Sequence, residues 1–145
     1  MRTRGEEGFS LVEIMVVLVI IGLAAGVAAL GFGDGTGEVR REAERLGARM
    51  LAARDHALFA QAETAAVIEA GGYRFEERRG GEWQPLTTRA IRPHSWDEVR
   101  PRGTLPMRVR FDAVGLAEPA RLLLAHGDAE AELNVGADGE VSIAP

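Results

Sequence analysis

The polarity of the chain changes character three times, and each change predicts a different element. From Ile14 to Phe32 the residues are Ile, Met, Val, Leu, Gly, Ala and Phe only, with no charge. With Phe9 to Glu13 added, this run makes a helix of about 36 Å at ~1.5 Å per residue, enough to cross a hydrocarbon core of ~30 Å. From about Glu38 to Thr64 the apolar residues instead recur at spacings of four and three (Val39, Ala43, Leu46, Met50, Ala53, Ala57), which predicts an amphipathic helix. Leu51, Leu58 and Phe59 are expected to widen that stripe, while Arg40, Arg41, Glu44, Arg45 and Arg49 populate the other face. The pattern lasts about three heptads, so a core face for a β-sheet is favoured over a coiled coil.

Beyond Thr64 the period becomes two. Ala66 to Ala70 and Tyr73 to Glu77 read as a hairpin around Gly71-Gly72, and Gly80-Gly81 turns the chain into Glu82 to Leu86. Thr87 to Leu105, with Pro93, Pro101 and Gly103, reads mainly as loop. Met107, Val109 and Phe111 alternate with arginines as a half-buried strand, and Leu122-Leu123-Leu124 within Arg121 to Ala125 suggests burial on both faces. Gly127-Asp128 turns into Ala129 to Val135, and Asp138-Gly139 into a last strand with Val141 and Ile143. The expected class is α+β, about six or seven short antiparallel strands on one long helix. Between the two helical stretches, Gly31 to Gly37 is expected to loosen the helix as a hinge, with Thr36 or Asp34 capping the second helix.

Within the first apolar run one residue is out of place. Glu13 puts a carboxylate in a membrane-length helix, where insertion scales charge about 2.5–3.5 kcal/mol and a partner is the rule. By itself it reads as a residue one turn from the helix start, reaching the headgroups and favouring the helix dipole. A cleaved secretory signal is a rival reading of the whole run, with Ala28-Ala29-Leu30-Gly31 as its cutting site, but such apolar regions usually run to roughly 7–15 residues. Arg2 and Arg4 ahead of the run predict a cytoplasmic N-terminus and an external C-terminal domain, a signal diluted by Glu6 and Glu7.

Gly8 directly before Phe9, Glu13 as the fifth residue counted from Phe9, and an unbroken apolar span together resemble the class III signal of type IV pilins and type II secretion pseudopilins. The resemblance implies that a prepilin peptidase cuts between Gly8 and Phe9 and that Phe9 is then N-methylated. It also implies a partner for Glu13, the terminal amine of an adjacent subunit. Glu7 departs from the pattern, because a basic or neutral residue is commoner there. The order of elements, with Phe111-Asp112-Ala113-Val114-Gly115 ahead of the Leu122 to Leu124 strand, is similar to the minor pseudopilin H family and its FimT-like relatives. That implies a type IV pilin-like fold divided into a leader (1–8), a transmembrane anchor (9–32), a hinge and amphipathic helix (33–64) and a periplasmic β-rich domain (65–145). The implied setting is the bacterial inner membrane, crossed once. The implied partners are major and minor pseudopilins, the prepilin peptidase, the inner-membrane secretion platform and an exoprotein substrate. A FimT-like minor type IV pilin, serving pilus assembly or DNA uptake, is the alternative. A single-pass tethered enzyme or sensor is a third reading.

Composition narrows these readings. There is no cysteine, so no disulfide framework is available, and every basic residue is arginine. A net charge of −5 argues against a nucleic-acid partner. Arginine is concentrated between Tyr73 and Arg110, and acids between Phe111 and Pro145. Solvated strand faces account for this, and complementary patches that meet between neighbouring subunits or a substrate are the functional alternative. His56, His94 and His126 have no spacing that suggests metal ligation, and neither Ser10 nor Ser95 sits in a nucleophile-elbow pattern. Asp128, Asp138 and Glu140 read as turn formers, and Trp83 and Trp96 as core or loop anchors. No catalytic residue, cofactor or metal is expected.

Overall fold

In the computed structural model the described residues are 11–31 and 35–144, with side chains described for 11–26 and 35–144. They form two compact units, one up to Asp34 and one from Gly35 onward. In the first, α1 spans Leu11–Gly31. Apart from Glu13, its side chains from Leu11 to Leu23 are apolar all round the helix and exposed, so no face is marked for a core.

The second unit opens with α2, Thr36–Ala60. Gly35 occupies the N-cap position with no side-chain cap, and its carbonyl accepts from Val39 N at 2.9 Å and Glu38 N at 3.2 Å. Thr36, expected as a cap, therefore lies inside the first turn; Asp34 falls outside the described residues. The helix ends at Ala60, four residues before the expected Thr64, and is capped by Gln61, a non-glycine in the left-handed region (φ 49°) whose N–H bonds Ala57 O.

Nine strands come next among the described residues. They are β1 (Thr64–Glu69), β2 (Gly72–Arg79), β3 (Glu82–Pro85), β4 (His94–Ser95), β5 (Arg100–Arg102), β6 (Met107–Phe111), β7 (Ala120–His126), β8 (Ala129–Val135) and β9 (Val141–Ala144). One antiparallel sheet has the order β3-β2-β1-β6, with β4 also paired to β2; the other runs β5-β7-β8-β9. The seven strands expected from alternation are all present. The two others lie in the stretch read as loop, and each has a reason to escape notice. β4 is two residues long and is admitted because residue 72 is Gly: a Cβ there would collide with the His94 carbonyl. β5 carries Pro101 at its centre, which is tolerated because β5 is an edge strand bonded only to β7.

The core lies between α2 and both sheets. Val39, Ala43, Leu46, Met50, Ala53 and Ala57 are fully buried, as their spacing predicts. They meet Ala66, Ile68, Phe75, Val109 and Phe111 of the first sheet and Leu122, Leu124, Ala131, Leu133 and Val135 of the second. Small residues on this stripe bring the helix close. Gly47 lies so near the second sheet that a Cβ would sit 3.5 Å from Val141 Cγ1 and 3.7 Å from Leu133 Cδ1. Thr64, completely buried, donates its hydroxyl to Ala53 O at 2.9 Å and so joins β1 to the helix.

Three residues expected to widen the stripe do not. Leu51, Leu58 and Phe59 are exposed, Phe59 to 95%. Helical residues advance by about 100° each, and these three fall on the flank of α2 beyond the buried stripe. Leu123 is half-buried between fully buried Leu122 and Leu124, so β7 alternates, with only Ala125 buried out of phase.

Candidate functional site

The residues singled out for processing, Gly8 and Phe9, lie outside the described residues. Glu13 is in the first turn of α1, where a carboxylate favours the exposed N–H groups of the helix end. Its neighbours Leu11, Val12, Ile14 and Met15 all carry exposed apolar side chains. Among the described residues no helix is long and apolar enough to cross a membrane. The part of α1 with described side chains, 11–26, spans only about 24 Å at ~1.5 Å per residue; the helical backbone continues to Gly31.

On the second unit, the arginine-rich stretch is occupied by ion pairs of its own. Arg74 is held by Glu69 and Glu76, Arg108 pairs with Glu76 at 2.7 Å, Arg78 with Glu63 at 2.8 Å and Arg79 with Glu77 at 2.7 Å. Arg110 reaches Glu118 at 3.0 Å and Arg102 reaches Glu130 at 3.2 Å, so two contacts join the basic stretch to the acidic last third within one chain. The Glu69 bond, ahead of the Glu76 charge and against partial burial, pushes the Arg74 guanidinium above its ordinary range. Each exposed pair contributes at most about 1 kcal/mol. Their combined effect is to leave fewer uncommitted cations than the composition suggests.

The aromatic residues serve as anchors. Trp96 is buried and donates Nε1–H to Glu69 O at 2.7 Å; Trp83 lies under the Arg108 guanidinium, 4.9 Å from its ring centre. Tyr73 packs against Phe75 and Trp96 and accepts from Arg49 Nη1 at 2.7 Å. Burial pushes its hydroxyl up to about 12, against the opposing pull of Arg49. Asp112 Oδ1 accepts from Val114 N and Leu116 N, and Gly115 (φ 80°) comes against Leu58. The Phe111–Gly115 segment is thus a tight turn under the end of α2. Arg54 of α2 holds the same region by bonds to Gly115 O and Asp138 O, both 3.0 Å. Asp138 Oδ1 accepts from Glu140 N, the turn-forming role expected of it.

Each histidine faces a carboxylate across the domain. His56 Nε2 lies 3.4 Å from Glu77, His94 Nε2 lies 3.4 Å from Glu42, and His126 approaches both Glu38 and Glu98. The last set joins three segments far apart in sequence, with ligand atoms all within 4.8 Å of one another. Local spacing carries no trace of that convergence.

Residues 3–29 match the prokaryotic N-terminal methylation motif. The chain is 34% identical over 101 residues to type II secretion system protein H of Pseudomonas aeruginosa, covering 66% of this chain and 58% of that protein. It is 30% identical over 91 residues to the protein of the same name from Aeromonas hydrophila, covering 60% and 50%. The chain thus spans between half and three-fifths of the length of these relatives. The fold is that of the minor pseudopilin EpsH of Vibrio cholerae, with a TM-score of 0.63 at 13% identity over 74% of this chain and 96% of the other. It is also that of the type IV minor pilin FimU of Pseudomonas aeruginosa, with a TM-score of 0.59 at 18% identity over 75% and 90%. The resemblance to the minor pseudopilin H group stated from the sequence is borne out, and so is the pilin-like α+β class, with nine strands among the described residues in place of six or seven.

Proposed function

We propose that this chain is a minor pseudopilin of the H type, a subunit of the periplasmic pseudopilus that drives proteins through the outer-membrane secretin of type II secretion. The observation that carries this is the coincidence, in one chain, of the methylation motif at 3–29 and the likeness to protein H over 101 residues. In this reading prepilin peptidase cuts between Gly8 and Phe9 and Phe9 is methylated. The segment 9–32 anchors the protein once in the inner membrane, N-terminus cytoplasmic, with the domain from Gly35 onward in the periplasm. Other major and minor pseudopilins, and the inner-membrane platform, are the partners.

The chemistry is assembly. An apolar helix that presents no preferred face suits burial among like helices and lipid. Glu13, desolvated there, is compensated by the terminal amine of a neighbour, an attraction that grows as the dielectric falls. The role is structural, and the aromatic, histidine and aspartate side chains hold the fold in place of a reaction centre.

A minor type IV pilin is the second reading, favoured by the fold likeness to FimU. Capture of DNA by such a pilin would call on a cationic surface, and the internal pairing of Arg74, Arg78, Arg79, Arg102, Arg108 and Arg110 weighs against it. The test is Glu13→Ala in a strain carrying the complete secretion system. Pseudopilus incorporation and exoprotein release are expected to fall together while the processed protein still accumulates in the inner membrane. Undiminished incorporation would sink the assembly role given to Glu13.

A further inference from the structure

At the end of α2 farthest from Thr36, the domain holds apolar side chains out into solvent on a firm support. The turn between β6 and β7 exposes Val114 to 68% and Leu116 to 52%, and Leu58 of α2, itself exposed, comes against Gly115 between them. Phe59, the next residue of the helix, is exposed to 95%. The N–H groups of Val114 and Leu116 donate to Asp112 Oδ1, that of Gly115 donates to Asp112 O at 3.0 Å, and that of Asp112 donates to Leu116 O at 2.9 Å. A second turn, Gly136 to Glu140, is tied to the first by Ala117 N donating to Ala137 O at 3.1 Å and by Arg54, which bridges Gly115 O and Asp138 O. Apolar side chains carried on so ordered a turn lose little backbone freedom on meeting a partner. A contiguous exposed patch of this kind marks an interaction site.

The bonding of the turns and the charge around them say what fits there. The N–H groups of Asp112, Val114, Gly115, Leu116 and Ala117 all donate inside the domain, so no strand can be added and contact falls to side chains. An element whose own backbone bonds are closed, as a helix's are, meets such a surface at no cost in unpaired groups. Asp55 on α2, and Asp138 and Glu140 on the second turn, are exposed and have no ion pair among the described residues. The nearby cations are committed, Arg54 to the two carbonyls and Arg110 to Glu118 at 3.0 Å. The rim is therefore acidic, which disfavours anionic lipid headgroups and favours a cationic partner. Phe59 also stands about 35 Å along α2 from Thr36, the end that the anchor segment precedes. A second copy does not supply the fit among its described helices, because Glu13 is the only charge on α1 and the apolar stripe of α2 is buried.

We propose that Leu58, Phe59, Val114 and Leu116, rimmed by Asp55, Asp138 and Glu140, dock an amphipathic helix of a different protein, apolar on the face it lays down and flanked by arginine or lysine. The surface needs only the folded domain. That the helix belongs to another pseudopilin rests on the function proposed above.

The experiment is photocrosslinking in the native strain with its complete secretion system, with p-benzoylphenylalanine in place of Phe59 or of Val114, followed by mass spectrometry of the adduct peptides. Both positions are expected to label one helix of another subunit that carries arginine or lysine beside its apolar contact residues. The same replacement at Glu82, exposed on β3, is expected not to label it. Asp55→Arg, at an exposed position without an ion pair, is expected to cut the yield about tenfold by setting like charges together. A thermal melt establishes that this variant folds. The proposal is overturned if neither position gives an adduct, if adducts form only with lipid or with a second copy of this chain, if the labelled segment carries no cation, or if Asp55→Arg labels as wild type. The amino terminus in the same spectra separates this from the pseudopilin reading: adducts on a chain not cut before Phe9 refute that reading and leave the surface standing, and a methylated Phe9 with no adduct does the reverse.

Discussion

Gly47 sits in the interior of α2 facing the second sheet, so replacing it with alanine probes how that helix is seated. A Cβ at 47 would lie 3.5 Å from Val141 Cγ1, 3.6 Å from Ile143 Cδ1 and 3.7 Å from Leu133 Cδ1, ordinary contact distances that need no movement. Removing a helix-interior glycine contributes about 0.8–1.0 kcal/mol, and burying one methyl adds up to ~0.8 kcal/mol. The expected stabilisation by Gly47→Ala is therefore about 1–2 kcal/mol, or a Tm rise of roughly 4–8 °C for a domain of this size. Both tryptophans, Trp83 and Trp96, lie in the β-rich unit, so their fluorescence in a thermal melt of the detergent-solubilised full chain reports that unit alone. Gly47→Leu, which overfills the same space, should lower stability by about 1–3 kcal/mol. If Gly47→Ala lowers Tm, α2 is seated closer to β8 and β9 than these distances state, and the packing argument fails.

The same substitution at Gly139 should behave oppositely. The residue is at φ 73°, and a Cβ would collide with the Gly115 carbonyl and press on Arg54, so Gly139→Ala is expected to cost upward of about 1–3 kcal/mol; an unchanged melting curve would refute the turn-to-turn contact. Tyr73 is the chain's single tyrosine, so absorbance at alkaline pH follows it alone, with an expected midpoint of about 12. Because the folded value lies above the unfolded one, its contribution to stability is complete below pH ~10 and is lost as pH rises towards 12. An ordinary midpoint near 10 would place the ring in water.

The legibility of each element in the sequence depends on the range of the interactions that make it. The α2 stripe and the seven longer strands repeat with the period of their own backbone, so a local window suffices to find them. β4 and β5 are too short to show a period, and the latter exists only because β7 lends it partners around Pro101. Burial on the flank of α2 depends on where the sheets end, so Leu51, Leu58 and Phe59 read as core while lying outside it. The functional signal divides the same way. Gly8, Phe9 and Glu13 form a linear pattern within one short segment, and the matched motif at 3–29 overlies it. The meeting of Glu38, Glu98 and His126, and the cancelling of Arg102 by Glu130, are products of folding alone.

The central claim is that this chain enters a filament through a processed amino terminus. Mass spectrometry of the protein recovered from its native membrane tests it directly. The account predicts a chain that begins at Phe9, carries one N-methyl group and retains the whole anchor. A chain still starting at Met1, or one starting near Gly31 after an ordinary signal cut, would contradict it.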